Sequence, residues 1–328
     1  MKAIVCTKYG PPDVLQLKEV EKPAPKDDEV LVKVHAASVN AWDWHLLTAD
    51  IFMVRLMGGG LLKPKHTILG ADIAGRVEAV GVAITQFQPG DEVFGDISAN
   101  VKGGFAEYTC TRENALALKP ANLTFEQAAA VPMAALTALQ GLRNEGRVQP
   151  GQRVLIQGAS GGVGTFAVQL AKSFGAEVTA VCSTRNLNTA RSIGADHVID
   201  YTRDDFTQNG QQYDLILAVN GYHPLSAYQR ALTPKGIYVM AGGSAAQIFQ
   251  AMLLGSWMSK TGGKKMGNVS GKPSQPDLLI LKELLEAGKV VPVIDRCYPF
   301  SEVPEALCYL GEGHAKGKVV ITMASKSK

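Results

Sequence analysis

The sequence predicts an α/β chain of two domains, a doubly wound parallel sheet joined to an irregular β domain. Three observations carry this reading. A glycine turn at residues 159–164 links a strand pattern to a helix pattern; strands and helices alternate from Gly151 onward; and the segment from Met1 to about Lys119 is a series of short β-like runs broken by turn signals. At 328 residues the chain exceeds one ordinary core.

In chain order, Val30, Val32 and Val34 alternate with more polar neighbours, and Gly75 to Gly81 reads the same way. Pro89-Gly90-Asp91 is a turn signal before the strand-like Glu92-Val93-Phe94. Thr124 and Gln127 have capping-box spacing ahead of an alanine-rich helix, which Pro132 should kink or break before Ala134 to Leu142 resumes it. Arg153 to Gln157 is an apolar strand. After the glycines, Val163, Phe166, Ala167, Leu170, Ala171 and Phe174 recur at helical spacing. Glu177 to Cys182 is the second strand, followed by strands at Asp196–Asp200, Tyr213–Val219 and Gly236–Met240 and a helix near Pro224–Leu232. That alternation implies parallel strands with right-handed crossovers. An amphipathic helix, Pro276 to Ala287, lies between a capping Ser274 and a terminating Gly288. Val319 to Thr322 is strand-like again and should return to the first domain.

The turn reads Ala159-Ser160-Gly161-Gly162-Val163-Gly164 and has the order of a dinucleotide-binding, or Rossmann, corner. Small residues let the backbone approach a pyrophosphate, which then rests on the helix N-terminus. Ala159 stands where the usual pattern has its first glycine, and a tight turn without a ligand is the competing interpretation. Gly158 to Gly162 also satisfies the G-x-S-x-G of a hydrolase nucleophile elbow around Ser160, but Gly164 continues the phosphate pattern. About 20 residues on, an NAD-binding protein places an acid for the ribose 2′-hydroxyl. Here the residues are Ser183-Thr184-Arg185-Asn186, and no acid occurs between Glu177 and Asp196. A 2′-phosphate gains a charge-assisted bond from Arg185, so the expected cofactor is NADPH; a solvated loop arginine is the alternative for Arg185 taken singly.

Composition adds mainly exclusions. Apolar residues make up 46% and charged residues 19%, as in a globular protein, and a net charge of +3 leaves no nucleic-acid footprint. The basic stretch Lys260 to Lys265, with Lys272 beyond, reads as a solvated loop. The five cysteines, Cys6, Cys110, Cys182, Cys297 and Cys308, lack metal-ligand or redox spacing. Strand-like sequence begins at Met1, leaving no room for a targeting peptide, and no apolar stretch is long enough to span a membrane; the expected location is cytoplasmic.

Beyond these readings, the chain resembles the medium-chain dehydrogenase/reductase superfamily, and within it the zinc-free quinone oxidoreductase (zeta-crystallin-like) branch, over essentially its whole length. The resemblance rests on Ala37-Ser38-Val39-Asn40, Leu69-Gly70-Ala71-Asp72-Ile73-Ala74-Gly75, Gly90 to Gly95, Gly103 to Tyr108, Ala130 to Ala138 and the glycine turn. It implies a GroES-like catalytic β domain from both chain ends (1–122 and 296–328), with the Rossmann domain (123–295) inserted and the active site in the cleft between them. It also implies that Asn40 faces the nicotinamide or substrate and that Thr137 lies near the nicotinamide; Asp43 and Trp44 follow Asn40 closely and are expected to line the same cleft. Tyr201 would help hold the 2′-phosphate beside Ser183 and Arg185, and Gly242-Gly243 would pass close to the nicotinamide. A homodimer is the implied assembly.

Zinc-using relatives place a Cys in the segment matching Val39-Asn40 and a His-Glu pair in that matching Ala71-Asp72. Asn40 and Ala71 are poor ligands, and His35, His45 and His66 are scattered without a cysteine partner, so no metal is expected. Without a Lewis acid, the expected acceptors are those that take hydride readily, namely quinones and enones or alkenals, with preorganised donors meeting the charge on the substrate oxygen. Asn40 is the side-chain donor candidate; the alternative is a turn residue bonded to its own backbone. Trp44 has a core role as its own alternative. An enoyl-thioester reductase, or a cofactor-binding protein with a non-enzymatic role such as RNA binding, are the competing functions. The segments Ala49–Gly60 and Gln247–Lys265 are unpatterned and expected to face the substrate.

Overall fold

The computed structural model describes residues 1–50, 54–55, 60–100, 103–221, 223–242, 264–269 and 271–323. The chain divides into two compact units. The first is Met1–Met133 with Pro273–Ala287 and Pro292–Lys328; the second is Ala134–Lys272 with Gly288–Val291.

The first unit is built on β3 (Glu29–Val39), an eleven-residue strand whose alternating valines point Val30, Val32 and Val34 into one core with Ile73, Val77, Val93 and Leu116. One edge of β3 pairs with β4 (Asp72–Val80), which continues to β5 (Glu92–Asp96) and β7 (Leu116–Leu118). The other edge serves two partners in turn. Glu29 to Lys33 pair with β6 (Tyr108–Arg112), and Ala36 to Val39 pair with β15 (Lys318–Thr322), which itself pairs with β14 (Ile294–Pro299). The strand-like tail therefore does return to the N-terminal half. A short antiparallel pair, β1 (Lys2–Val5) and β2 (Gln16–Glu19), stands apart from this sheet.

Helix α1 (Ala41–Thr48) leaves β3 directly and packs with α8 (Val303–Gly311). The expected capping box forms at α2 (Phe125–Ala129): Gln127 donates its amide to Thr124 Oγ1 at 3.2 Å, and Thr124 donates its amide to Gln127 Oε1 at 3.0 Å. Proline ends that helix by starting another, since Pro132 is the first residue of α3 (Pro132–Gln140), where its missing N–H costs nothing. The helix α7 (Gln275–Glu286) is capped by Ser274, whose hydroxyl accepts from the Asp277 amide, and Gly288 follows it at φ +66°. Both α2 and α7 group with the first unit, although residues 123–295 were expected to form one inserted domain. Helix α2 packs on β3 and β4, and the Gln275 amide donates to the Leu116 carbonyl at 2.9 Å.

In the second unit six parallel strands lie in the order β10-β9-β8-β11-β12-β13. These are β8 (Arg153–Gln157), β9 (Glu177–Cys182), β10 (His197–Asp200), β11 (Tyr213–Ala218), β12 (Leu232–Met240) and β13 (Lys265–Asn268). This 3-2-1-4-5-6 order is the doubly wound dinucleotide topology, with its switch point beside β8. Helices α4 (Gly162–Ser173), α5 (Leu187–Ser192) and α6 (Leu225–Ala231) accompany the strands. Strand β13 departs from expectation, because Lys265, at the end of the basic stretch, opens an edge strand rather than continuing a solvated loop. The Lys264 ammonium donates to the Gln229 carbonyl at 2.6 Å, and Lys265 pairs in register with Ile237.

Candidate active site

The glycine turn takes its shape from close backbone approaches. Gly158 has φ +80°, and a Cβ there would meet the Asn220 amide nitrogen at 2.9 Å. The amides of Gly158 and Ala159 both donate to the Val181 carbonyl at 3.1 Å, tying the turn to the neighbouring strand. A Cβ on Gly164 would lie 2.1 Å from the Gly158 carbonyl oxygen, so only glycine lets α4 seat this tightly on the end of β8. Ala159 is fully buried under that contact, which explains why the first glycine of the pattern is dispensable while the last is not. No side chain caps α4 at Gly161. The amides of Gly162, Val163 and Gly164 are the unpaired donors of its first turn, with half-buried Ser160 preceding them. The half-buried turn thus presents the helix-terminal donors that an anion needs. The arrangement fits a pyrophosphate.

Strand register places the expected 2′-site residues together. Cys182 pairs with Asp200, so Ser183 and Tyr201 stand side by side one residue beyond, and the Tyr201 amide donates to the Cys182 carbonyl at 3.1 Å. Arg185 and Tyr201 are exposed and Ser183 is half-buried. An acid does stand close by, although the window 178–195 has none. Asp200 accepts from the Thr184 hydroxyl at 2.5 Å and from the Thr202 amide and hydroxyl at 3.0 and 2.7 Å. The Thr184 hydroxyl, more than any charge, holds its carboxyl below the usual range. Asp200 is thereby engaged in bracing the two loops that carry Ser183, Arg185 and Tyr201.

In the first unit Asn40 caps the entry from β3 into α1, and its side chain is tied inward. The Nδ2 group donates to Asp72 Oδ2 at 2.9 Å and to the Ser38 carbonyl at 3.5 Å, while Oδ1 accepts from the Lys318 ammonium at 2.5 Å. Both N–H bonds are engaged, so the Asn40 carboxamide is not the free donor to a substrate oxygen that the sequence suggested. Asp72, wholly buried, accepts further bonds from the Ser38 hydroxyl at 2.9 Å and the Met133 amide at 2.8 Å, and pairs with Lys318 at 3.4 Å. Lys318 is 3% exposed, and no signal in the sequence singled it out. Position 318 meets position 40 only because β15 adds to β3.

Asp43 is buried one turn into α1. Its carboxylate accepts from the amides of Asn40 and Gly70, both at 2.9 Å, and so fixes the loop before β4. Burial pushes this carboxyl up to about 7, against the pull of those two amides. Asp96, opposite Asp72 on β5, is likewise pushed up, by burial and then by the Asp72 charge. Asp43 lines a recess with Trp42, His66, Gly70 and Ser98. Trp44 does not line it, because residues two apart on a helix face nearly opposite ways. The Trp44 ring lies against Gly311 of α8, where a Cβ would come within 2.4 Å of it. Trp42 is the aromatic at the recess, and its indole Nε1 is buried without a partner.

Thr137 belongs to α3 in the second unit and is half-buried; a Cβ on Gly271 would lie 3.6 Å from its Oγ1. Gly242 follows β12, and a Cβ there would meet the Val219 carbonyl oxygen at 2.5 Å. Gly243 lies outside the described residues, as does most of Gln247–Lys265 and of 51–59. Among the described residues no group of three or more His, Cys, Asp or Glu side chains is placed to hold a metal ion, and no helix is long and apolar enough to cross a membrane.

A β unit closed by the chain's last strand, together with a six-stranded dinucleotide sheet, defines a two-unit α/β oxidoreductase architecture. Comparison with known proteins agrees. The family profile described as the alcohol dehydrogenase GroES-like domain matches residues 26–121, and that described as zinc-binding dehydrogenase matches residues 193–321. The 2-methylene-furan-3-one reductase of Solanum lycopersicum is 38% identical over 336 residues, covering 98% of this chain and 79% of the relative. The chloroplastic NADPH-dependent alkenal/one oxidoreductase of Arabidopsis thaliana is 35% identical, with the same coverages of 98% and 79%. The structure of the quinone oxidoreductase from Coxiella burnetii superposes with a TM-score of 0.86 at 30% identity over 99% of both chains. The chain belongs to the medium-chain dehydrogenase/reductase superfamily, in its quinone oxidoreductase branch.

Proposed function

We propose that this protein is an NADPH-dependent, zinc-independent reductase that passes hydride to a quinone or an α,β-unsaturated carbonyl. The acceptor class is supported by its relatives, which are named for alkenal/one, furanone and quinone substrates. The bound nicotinamide supplies the hydride. The chain's own part is to bind and orient. The first turn of α4 receives the pyrophosphate, while Ser183, Arg185 and Tyr201 meet the 2′-phosphate with one cation and two hydroxyl donors. Thr137 and Gly242-Gly243 belong to the nicotinamide end of this reading.

The observation that carries the metal-free half is the Asn40–Lys318–Asp72 knot. At the positions matching the zinc ligands of metal-using relatives, an ammonium already satisfies Asp72 and the Asn40 carbonyl oxygen. A divalent cation there would have to displace it. With Asn40 engaged, Trp42 Nε1 is the unpaired donor nearest this cluster in sequence, and we assign it to the recess beside Asp43. A cytoplasmic homodimer completes the reading, to be checked by light scattering and fractionation.

The test is steady-state oxidation of NADPH and NADH with a panel of quinones, alkenals and crotonyl thioesters, with and without a chelator. Turnover of quinone or alkenal, preferring NADPH and unchanged by chelation, is the expected result. Bound NADPH with no turnover on any acceptor would refute the function, and turnover of thioesters alone would reassign it. Arg185→Ala should weaken NADPH by about tenfold or more and leave NADH nearly unchanged.

A further inference from the structure

Asn186 ends the 3-10 turn Thr184–Asn186, which runs straight into α5, so its side chain is not in the extended position from which an asparagine caps a helix by accepting a backbone amide. Its backbone has φ −111° and ψ −1°, and its side chain makes no capping bond. It is 4% exposed, its Oδ1 is buried without a partner, and its Nδ2 donates to Ser183 Oγ at 3.2 Å. The carboxamide serves the hydroxyl three residues earlier.

That bond has a directional consequence. A hydroxyl carries one proton, and an N–H approaching its oxygen occupies an acceptor site and turns the O–H away. The Ser183 proton is therefore directed out of the Asn186 pocket, and the incoming bond polarises it as a donor. The backbone holds this arrangement in place. The Asn186 amide closes the turn onto the Ser183 carbonyl at 2.9 Å, and Asp200 pins Thr184 between them. We propose that Asn186 is a specificity-determining positioning residue that fixes the Ser183 hydroxyl as a donor toward the 2′-phosphate of the cofactor. This rests on the NADPH reading above. A phosphate oxygen gains more from a fixed donor than a ribose hydroxyl does, so the effect discriminates between the two cofactors.

The experiment is fluorescence titration of the cofactor-free protein with NADPH, NADH and 2′,5′-ADP, which carries the 2′-phosphate without a nicotinamide. Asn186→Ala should weaken NADPH and 2′,5′-ADP by about five- to tenfold and change NADH by less than about twofold. In a Ser183→Ala background the same substitution should add nothing, because its route of action is gone. Equal losses for NADPH and NADH, or a loss that persists without the Ser183 hydroxyl, would overturn the proposal. Should Asn186→Ala fail to fold, Asn186→Asp keeps the shape but draws the Ser183 proton inward. It should weaken NADPH more in the wild-type background than in Ser183→Ala, where only charge repulsion remains, and an equal loss in both would overturn the assignment. Wild-type protein that does not distinguish NADPH from NADH would refute the cofactor reading itself. Preference in the wild type with a silent Asn186→Ala would refute only the role of Asn186.

Discussion

Lys318→Met would remove the ammonium and keep most of the apolar stem. In the structure Lys318 is 3% exposed and Asp72 is fully buried, with 3.4 Å between Nζ and Oδ2. Removing one partner of a buried pair typically costs about 3–5 kcal/mol, because the other charge stays desolvated. Three donors would remain on Asp72, from Ser38, Asn40 and the Met133 amide, so the loss belongs at the lower end, about 3 kcal/mol. At roughly 2–4 °C per kcal/mol for units of this size, the unfolding midpoint of the first unit should fall by roughly 6–12 °C. Scanning calorimetry at neutral pH measures it. Adding Asp72→Asn neutralises the stranded carboxylate and should return a substantial part of the loss. A single variant that melts within about 2 °C of wild type, or a double variant that melts lower than the single, would refute the pairing argument.

Asp96→Asn should stabilise the protein more at pH 8 than at pH 5, by roughly 1–2 kcal/mol. The Asp96 carboxyl is raised from 3.8 to about 7 in the fold, so its contribution is full below about pH 4 and is lost as pH rises through 7; an equal effect at both pH values would disprove this. Gly164→Ala drives a Cβ to within 2.1 Å of the Gly158 carbonyl and should weaken NADPH and NADH alike, by about tenfold or more in a binding titration. Equal affinity to wild type would show that the turn tolerates a wider seat. Gly311→Ala forces a methyl into the Trp44 ring and should cost roughly 1–3 kcal/mol, with Trp44→Leu relieving part of it. A neutral Gly311→Ala would mean that the ring faces elsewhere.

The parts of this molecule that were legible in its sequence are those specified by neighbours. The turn at 158–164, the Thr124 capping box and the Ser274–Gly288 bounds of α7 each depend on residues within one or two turns of the chain. What escaped depends on distant contacts. The Asn40 reading assumed a free amide, whereas Lys318 and Asp72 claim it from 278 and 32 positions away. Trp44 packs against Gly311, a contact made across 267 positions that leaves no local pattern. Strand β13 was invisible because Lys-Met-Gly-Asn has almost no β pattern of its own and acquires strand geometry only by pairing with β12. Asp200 follows the acid-free stretch 178–195, and only the β9–β10 register shows it beside Thr184.

Strand β15 also constrains the order in which the chain can be assembled. As the polypeptide leaves the ribosome, β3 and β4 emerge early, carrying Asp72 between them. Their counter-charge, Lys318, is made 246 residues after Asp72. Every strand of the dinucleotide sheet has emerged by then, so the second unit can fold during translation while the first waits with an open edge on β3. The N-terminal half is made first and finished last. During that interval the exposed edge is where a chaperone, or a mispaired strand from another chain, has its opportunity.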